Sequence, residues 1–278
     1  KDLGRLMTPM LDCMGDRGPD SAGLAVFMDP VSDSLRRFSL YWPGVETDWD
    51  RLQSALQDAG HEGTGLDAIA DNAVLTTDID AAQLGDWLTA TFPDIHVLSV
   101  GRCLRLFKDE GHPRDIAARY ALAGMSGTHA VGHTRMATES RVSPAHAHPF
   151  TAGEDFCLVH NGSLSNPNSV RRRLQRRGIA FQTDNDTEAG CRFLEWRMRE
   201  GDSLEEALAA SFSVLDGFYT FLMATAEKLV LVRDAFACKP AVVAETDEYV
   251  AVGSEFRALA HLPDVRSANV FEPVPEQI

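Results

Sequence analysis

The chain has 278 residues, with 26 Lys and Arg against 41 Asp and Glu, a formal net charge of −15. That acid excess argues against a partner held mainly through its phosphates. A content of 44% hydrophobic and 24% charged residues is the balance of a soluble globular protein with a sizeable core. No run approaches the roughly 18 consecutive apolar residues of a membrane span, and Lys1-Asp2-Leu3-Gly4 is no signal region, so a cytoplasmic protein with neither nucleic-acid nor membrane partners is expected.

Leu3, Leu6, Met7, Met10, Leu11 and Met14 fall at helical spacing and predict an opening amphipathic helix. A turn at Arg17-Gly18-Pro19-Asp20-Ser21 follows. Residues 23–28 read as a buried strand, expected to form a hairpin with 35–42 through Asp29-Pro30-Val31-Ser32-Asp33. Helical patterns cover 48–60, 79–92 and 114–123, and strands are expected at 95–100 and 103–107. The stretch 44–110 carries no motif and is expected to be an insertion that contacts other subunits. Ala130–Thr134 and Phe156–His160 are apolar runs ending in polar residues, which is how buried strands deliver side chains to a site at their ends.

Ser165-Asn166-Pro167 starts a helix and Gly178 stops it. The five arginines between 171 and 177 lie on that helix and read as a solvated face rather than an anion patch. Asp184-Asn185-Asp186 and the capping box Ser203-Leu-Glu-Glu206 open two more helices. Four strands in a meander are expected at 218–224, 229–233, 241–244 and 249–253. With no repeat and no low-complexity linker, one domain over 1–278 is expected.

Polar residues concentrate in three segments: Gly132–Thr138, His160–Ser163 and Asn185–Glu188. An Arg can clamp a carboxylate bidentately, an Asp can pair with an ammonium, and an Asn amide beside a Gly N–H can stabilise an oxyanion. Together they suit an α-amino acid whose side-chain carbonyl is attacked. Taken singly, Arg135 could be a structural ion pair, Asn161-Gly162 a type I′ turn and Asp186 a helix cap. A metal reading is also open, using His133, His146, His148 and His160, with the His-x-His at 146 to 148 placing two rings on one strand face.

These segments are collinear with others: Arg17-Gly-Pro-Asp-Ser-Ala-Gly23, Ala147-His-Pro-Phe150, Asp216-Gly217, Leu231-Val-Arg-Asp234 and Gly253-Ser-Glu255. The set resembles class II glutamine amidotransferases, which are N-terminal-nucleophile hydrolases. Gly132-His-Thr-Arg-Met-Ala-Thr-Glu-Ser140 and Leu158-Val-His-Asn-Gly-Ser-Leu-Ser-Asn166 are similar in wording to the amidotransferase subunits of N-methylglutamate synthases, relatives of the glutamate synthase glutaminase domain. The resemblance implies an α+β fold, a four-layer αββα sandwich. It also implies that Arg135, with Thr138, binds a glutamine α-carboxylate, that Asp186 holds the α-ammonium, and that Arg17 buttresses the site. Asn161 and Gly162 would form the oxyanion hole, with His148 and His160 supporting the loops.

The family's nucleophile is a cysteine at the mature N-terminus, on a strand that lies before the first helix; here that strand is expected to precede Lys1. Cys13, Cys103, Cys157, Cys191 and Cys238 do not align with it and are expected to be packing thiols, too scattered for a disulfide framework. Glu139-Ser140 replaces a His-Gly of relatives, and Ala237 stands where many have Gly. The expected function is therefore the glutaminase subunit of a glutamate synthase-like complex, most closely N-methylglutamate synthase, acting on glutamine or glutamate. No cofactor is expected in this chain, with flavin (FMN) and iron–sulfur clusters expected in partner subunits. The rivals are a non-catalytic amino-acid-binding or assembly subunit, and the glutaminase subunit of a conventional glutamate synthase.

Overall fold

A computed structural model describes residues 2–44, 47–61, 63–136 and 143–278. Helix α1 (Leu3–Met14) leads to β1 (Ser21–Phe27), β2 (Arg36–Tyr41), α2 (Trp49–Asp58), β3 (Gly65–Ile69), β4 (Asn72–Thr77) and α3 (Ala81–Thr91). Next come β5 (His96–Gly101), β6 (Leu104–Glu110), α4 (Pro113–Arg119), β7 (His129–Arg135), β8 (Phe150–Thr151) and β9 (Cys157–Leu164). Three helices follow: α5 (Pro167–Gln175), α6 (Asp186–Arg199) and α7 (Leu204–Val214). The last elements are β10 (Gly217–Ala224), β11 (Leu229–Arg233), β12 (Val242–Glu245), β13 (Val250–Gly253), α8 (Phe256–Leu259) and β14 (Asn269–Phe271).

Two antiparallel sheets, β6-β1-β7 and β11-β10-β9-β8, face each other. Strand alternation sends Ala25, Phe27, Leu106 and Val131 of the first sheet against Cys157, Val159 and Ala224 of the second. The opposite faces are covered by helices. Leu24 and Val26 pack with Leu11, Ile116 and Tyr120 beside α1 and α4, while Leu158, Phe221 and Met223 pack with Ala189, Phe193 and Leu208 of α6 and α7. The result is the expected αββα sandwich. Residues 36–101 add a third antiparallel sheet, ordered β3-β4-β2-β5, in a βαββαβ arrangement. Its core is its own: Trp49, Leu52, Leu84 and Leu88 of α2 and α3 pack on Phe38, Leu40 and Leu75.

Two pairing expectations fail. The hairpin of 23–28 with 35–42 does not form, because β1 pairs with β6 and β7 whereas β2 pairs with β4 and β5. All seven residues of β1 are buried, as befits a central strand, so both of its edges are taken by longer-range partners. The four-strand meander is also split. β11 pairs with β10, while β12 pairs with β13 and β14 in a separate sheet.

Asp155 ties the third sheet to the sandwich. Its carboxylate accepts from the backbone N–H groups of Arg102 (2.8 Å), Cys103 (2.8 Å) and Leu104 (2.9 Å), where β5 turns into β6. Removing that acceptor leaves three donors at a half-buried turn, so Asp155→Ala is expected to cost about 2–4 kcal/mol, read as a lower urea midpoint at unchanged slope.

Candidate active site

Alternation on β7 turns His133 and Arg135 toward the gap that Val131 fills, and on β9 it turns Asn161 toward the gap that Val159 fills. At this end the gap widens into a cavity of about 830 Å³ whose wall includes Arg17, His133, Arg135, Asn161, Gly162 and Asp186. Five of the six residues proposed from sequence thus face one space. Thr138, like Glu139 and Ser140, lies outside the described residues.

Asn161 and Gly162 are strand residues, paired opposite Thr220 and Tyr219, so the type I′ turn alternative does not hold. Gly162 has φ +142°, and a Cβ there would stand 2.1 Å from the Phe218 carbonyl oxygen. Only glycine permits that approach, which turns the backbone locally away from a regular strand. Asp186 is not a cap either. Asn185 caps α6, accepting from the Thr187 N–H at 2.9 Å, and Asp186 is the first helical residue. Its Oδ2 accepts from the Leu164 N–H at 2.8 Å, leaving a partly exposed carboxylate at a helix start, where the dipole favours negative charge. Buried Glu188 holds the approach to α6 by accepting from the N–H groups of Gln182 (2.8 Å) and Thr183 (2.7 Å).

Gly18 lets the turn after α1 lie against β7, since a Cβ there would meet the Arg135 nitrogen at 2.5 Å. That places Arg17 at the cavity rim in an ion pair with Glu255, which also pairs with Arg257 at 2.8 Å. The Gly253-Ser-Glu255 motif therefore meets the Arg17 motif in space, a link invisible in sequence.

Three imidazoles, those of His133, His148 and His160, form part of the cavity wall. The His133 and His148 rings lie with centroids 4.2 Å apart, tilted by 31°. His148 Nε2 and His160 Nδ1 lie 2.9 and 3.0 Å from the Thr187 hydroxyl. Burial pushes His133 and His160 down to about 4 and His148 well below its usual value; Asp186 opposes the shift of His160. All three are neutral near pH 7. His146 turns elsewhere, toward Ser143 (2.7 Å) and Asp184 (3.2 Å), so the proposed His-x-His pair does not share one face. Among the described residues no group of three or more His, Cys, Asp or Glu side chains is placed to hold a metal ion.

No described cysteine lines the cavity. Cys157 and Cys191 are core residues whose thiols are pushed up by burial, Cys157 to about 12, and Cys103 shifts the same way. Cys238 departs from the packing expectation: it is exposed in the loop after β11. Ala237 beside it has φ +46°, so the turn keeps a glycine-like conformation despite the side chain, at a cost of about 1 kcal/mol. The arginines of α5 are exposed except Arg171, which donates to the Thr183 carbonyl (2.6 Å) and lies over Phe181, bracing the loop that leads to Asp186.

A protein of Rhizobium meliloti described as glutamine amidotransferase-like protein GlxB is 45% identical over 279 residues, covering 99% of this chain and 91% of that protein. This chain belongs to the glutamine amidotransferase family. A sequence profile described as a glutamine amidotransferase domain matches residues 133–261, which span Arg135, Asn161, Gly162 and Asp186. A glutamine–fructose-6-phosphate aminotransferase of Aliivibrio fischeri is 37% identical over 126 residues, 44% of this chain and 20% of that one. The solved structure of a glutamine phosphoribosylpyrophosphate amidotransferase from B. subtilis superposes with a TM-score of 0.61 at 20% identity, covering 98% of this chain and 43% of that longer one. The likeness identifies the fold as that of the N-terminal-nucleophile amidotransferases. Among the described residues no helix is long and apolar enough to cross a membrane.

Sequence reasoning missed Thr187 and Glu255 as site residues. Both stand inside motifs quoted for their neighbours, but their partners are brought by other elements: His148 and His160 for Thr187, Arg17 for Glu255.

Proposed function

We propose that this chain is the glutaminase subunit of a glutamate synthase-like assembly, N-methylglutamate synthase, which converts glutamate and methylamine to N-methylglutamate and ammonia. The observation that carries the amidotransferase part is the convergence of a guanidinium, a carboxylate and an Asn-Gly pair on one cavity. In this reading Arg135, assisted by Thr138, takes the α-carboxylate of the ligand and Asp186 its α-ammonium. The Asn161 side-chain amide and the Gly162 N–H take the charge that develops on the side-chain oxygen, worth about 3 kcal/mol per donor. The nucleophile is the thiol of the family's N-terminal cysteine, with its α-amine as base: the thiol adds to the amide carbon, ammonia leaves, and water later cleaves the thioester. Strand β7 pairs only with β1 among the described strands, and its residues His129 to Arg135 line the cavity.

The narrower assignment rests on the wording of segments 132–140 and 158–166. Ammonia set free in an open pocket would be protonated and lost at neutral pH, so the reading includes docking on synthase subunits that carry FMN and iron–sulfur clusters. The 36–101 unit and the exposed arginines of α5 are the contact regions proposed, within a single domain over 1–278 carrying an insertion at 44–110. The test is to purify the native protein and assay it with amide-labelled glutamine and with glutamate plus methylamine. The expected result is a stable hetero-oligomer that forms N-methylglutamate. A monodisperse monomer near 30.4 kDa with full glutaminase activity and no associated subunit would refute the assembly.

A further inference from the structure

The Thr187 hydroxyl sits within hydrogen-bond distance of three groups: Asp186 Oδ1 at 3.3 Å, His148 Nε2 at 2.9 Å and His160 Nδ1 at 3.0 Å. A hydroxyl donates once and accepts twice, and a carboxylate only accepts. The single Thr187 proton therefore goes to Asp186, and both imidazoles must donate to Thr187. This fixes the tautomers as Nε2–H for His148 and Nδ1–H for His160. The opposite ring nitrogens, His148 Nδ1 and His160 Nε2, are then bare lone pairs, and neither has a hydrogen-bond partner among the described residues.

The network has a geometric consequence. His160, Asn161, Gly162 and Leu164 lie on one stretch of β9. That stretch is fastened to the first turn of α6 on both sides of the Asn-Gly pair: His160 binds Thr187, and the Leu164 N–H donates to Asp186 Oδ2 at 2.8 Å. We infer that Thr187 is a positioning residue whose hydroxyl orients the Asp186 carboxylate and, through His160, sets the place of Asn161 and Gly162, so that the ammonium site and the oxyanion hole are held as one unit. The inference rests on the proposed amino-acid chemistry of the cavity for its consequence in turnover, though not for the network itself. The His148 ring, in contact with the His133 ring of β7 at 4.2 Å between centroids, extends the same fastening to the opposite sheet, which carries Arg135.

The test compares Thr187→Val, which keeps the shape and loses the hydroxyl, with Thr187→Ser, which keeps the hydroxyl. In the active assembly Thr187→Val is expected to lower kcat for glutamine by about 100-fold while KM rises less than about tenfold, because the misplacement acts mainly on the transition state. Thr187→Ser should stay within about threefold of the parent on both constants. A purely structural role would lower stability and leave kcat of the folded fraction unchanged, and that result would overturn the inference. A second reading needs no turnover: nitrogen NMR of histidine-labelled parent protein should show His160 protonated at Nδ1 and His148 at Nε2. Protonation of His160 at Nε2 would sink the network even if Thr187→Val fails to fold. Should the parent bind neither glutamine nor glutamate, the functional reading falls while these tautomers still decide the network.

Discussion

Asp186→Ala and Arg135→Ala are each expected to weaken glutamate binding by about 2–4 kcal/mol, a loss of roughly 30- to 1,000-fold, because each leaves one charge of the ligand without its partner. Asp186 also accepts from the Leu164 N–H, so its removal mixes a charge effect with a scaffolding effect. Asp186→Asn separates the two. It keeps an acceptor for Leu164 and removes the charge, and should recover the stability of the parent but little of its affinity. Asn161→Ala should behave in the opposite sense. It should leave glutamate affinity within about threefold and lower kcat by about 100- to 1,000-fold in the active assembly, since an oxyanion donor acts mainly in the transition state. Calorimetric titration of glutamate into the three alanine variants and Asp186→Asn, set beside their turnover, is the measurement. Equal losses of affinity in all three would count against these roles.

Strand ends and helix caps were legible in the sequence because their determinants are local. The Ser203 capping box forms as read, with Glu206 reaching back to the Ser203 N–H at 2.8 Å, and β7 and β9 deliver Arg135 and Asn161 from their polar ends. Pairing was not legible. β1 and β2 are neighbours in the chain with a turn between them, which favours a hairpin, yet the continuous burial of β1 requires two strand partners and both come from more than 70 residues away. The strand β3 escaped notice because only Leu66 and Ile69 among its residues are even half-buried, so its edge position leaves almost no apolar pattern. For the site, the motifs supplied Arg135, Asn161, Gly162 and Asp186, whose residue types name their chemistry. Thr187 and the three buried imidazoles carry no such label. Their part is set by which helix meets which strand, and a single hydroxyl between two rings becomes informative only once its neighbours are known.

The buried imidazoles give the last and broadest expectation, which concerns pH. His133, His148 and His160 are neutral in the folded protein because burial opposes their charged forms, with His133 and His160 lowered to about 4. In the unfolded chain the same rings titrate near 6.5. Between these limits the unfolded state binds more protons than the folded state, so stability is complete above about pH 6.5 and is lost as pH falls toward 4. Each ring contributes up to about 1.4 kcal/mol per pH unit, and three together can remove a large part of a domain's stability within two units. Urea unfolding measured from pH 7.5 to 4.5 should show a difference of nearly three bound protons around pH 5, and His148→Gln should reduce it by about one. A stability curve flat between pH 6 and 5 would show that these rings are not held neutral. The same shift bears on the ligand: His160 Nδ1 lies 3.8 Å from Asp186 Oδ1, and a charged imidazole there would neutralise the carboxylate from within. Because burial keeps that ring uncharged near neutral pH, the charge of Asp186 stays available for an ammonium arriving from the cavity, and glutamate affinity should hold constant from pH 8 to 6.5 and fall only where the fold itself begins to weaken.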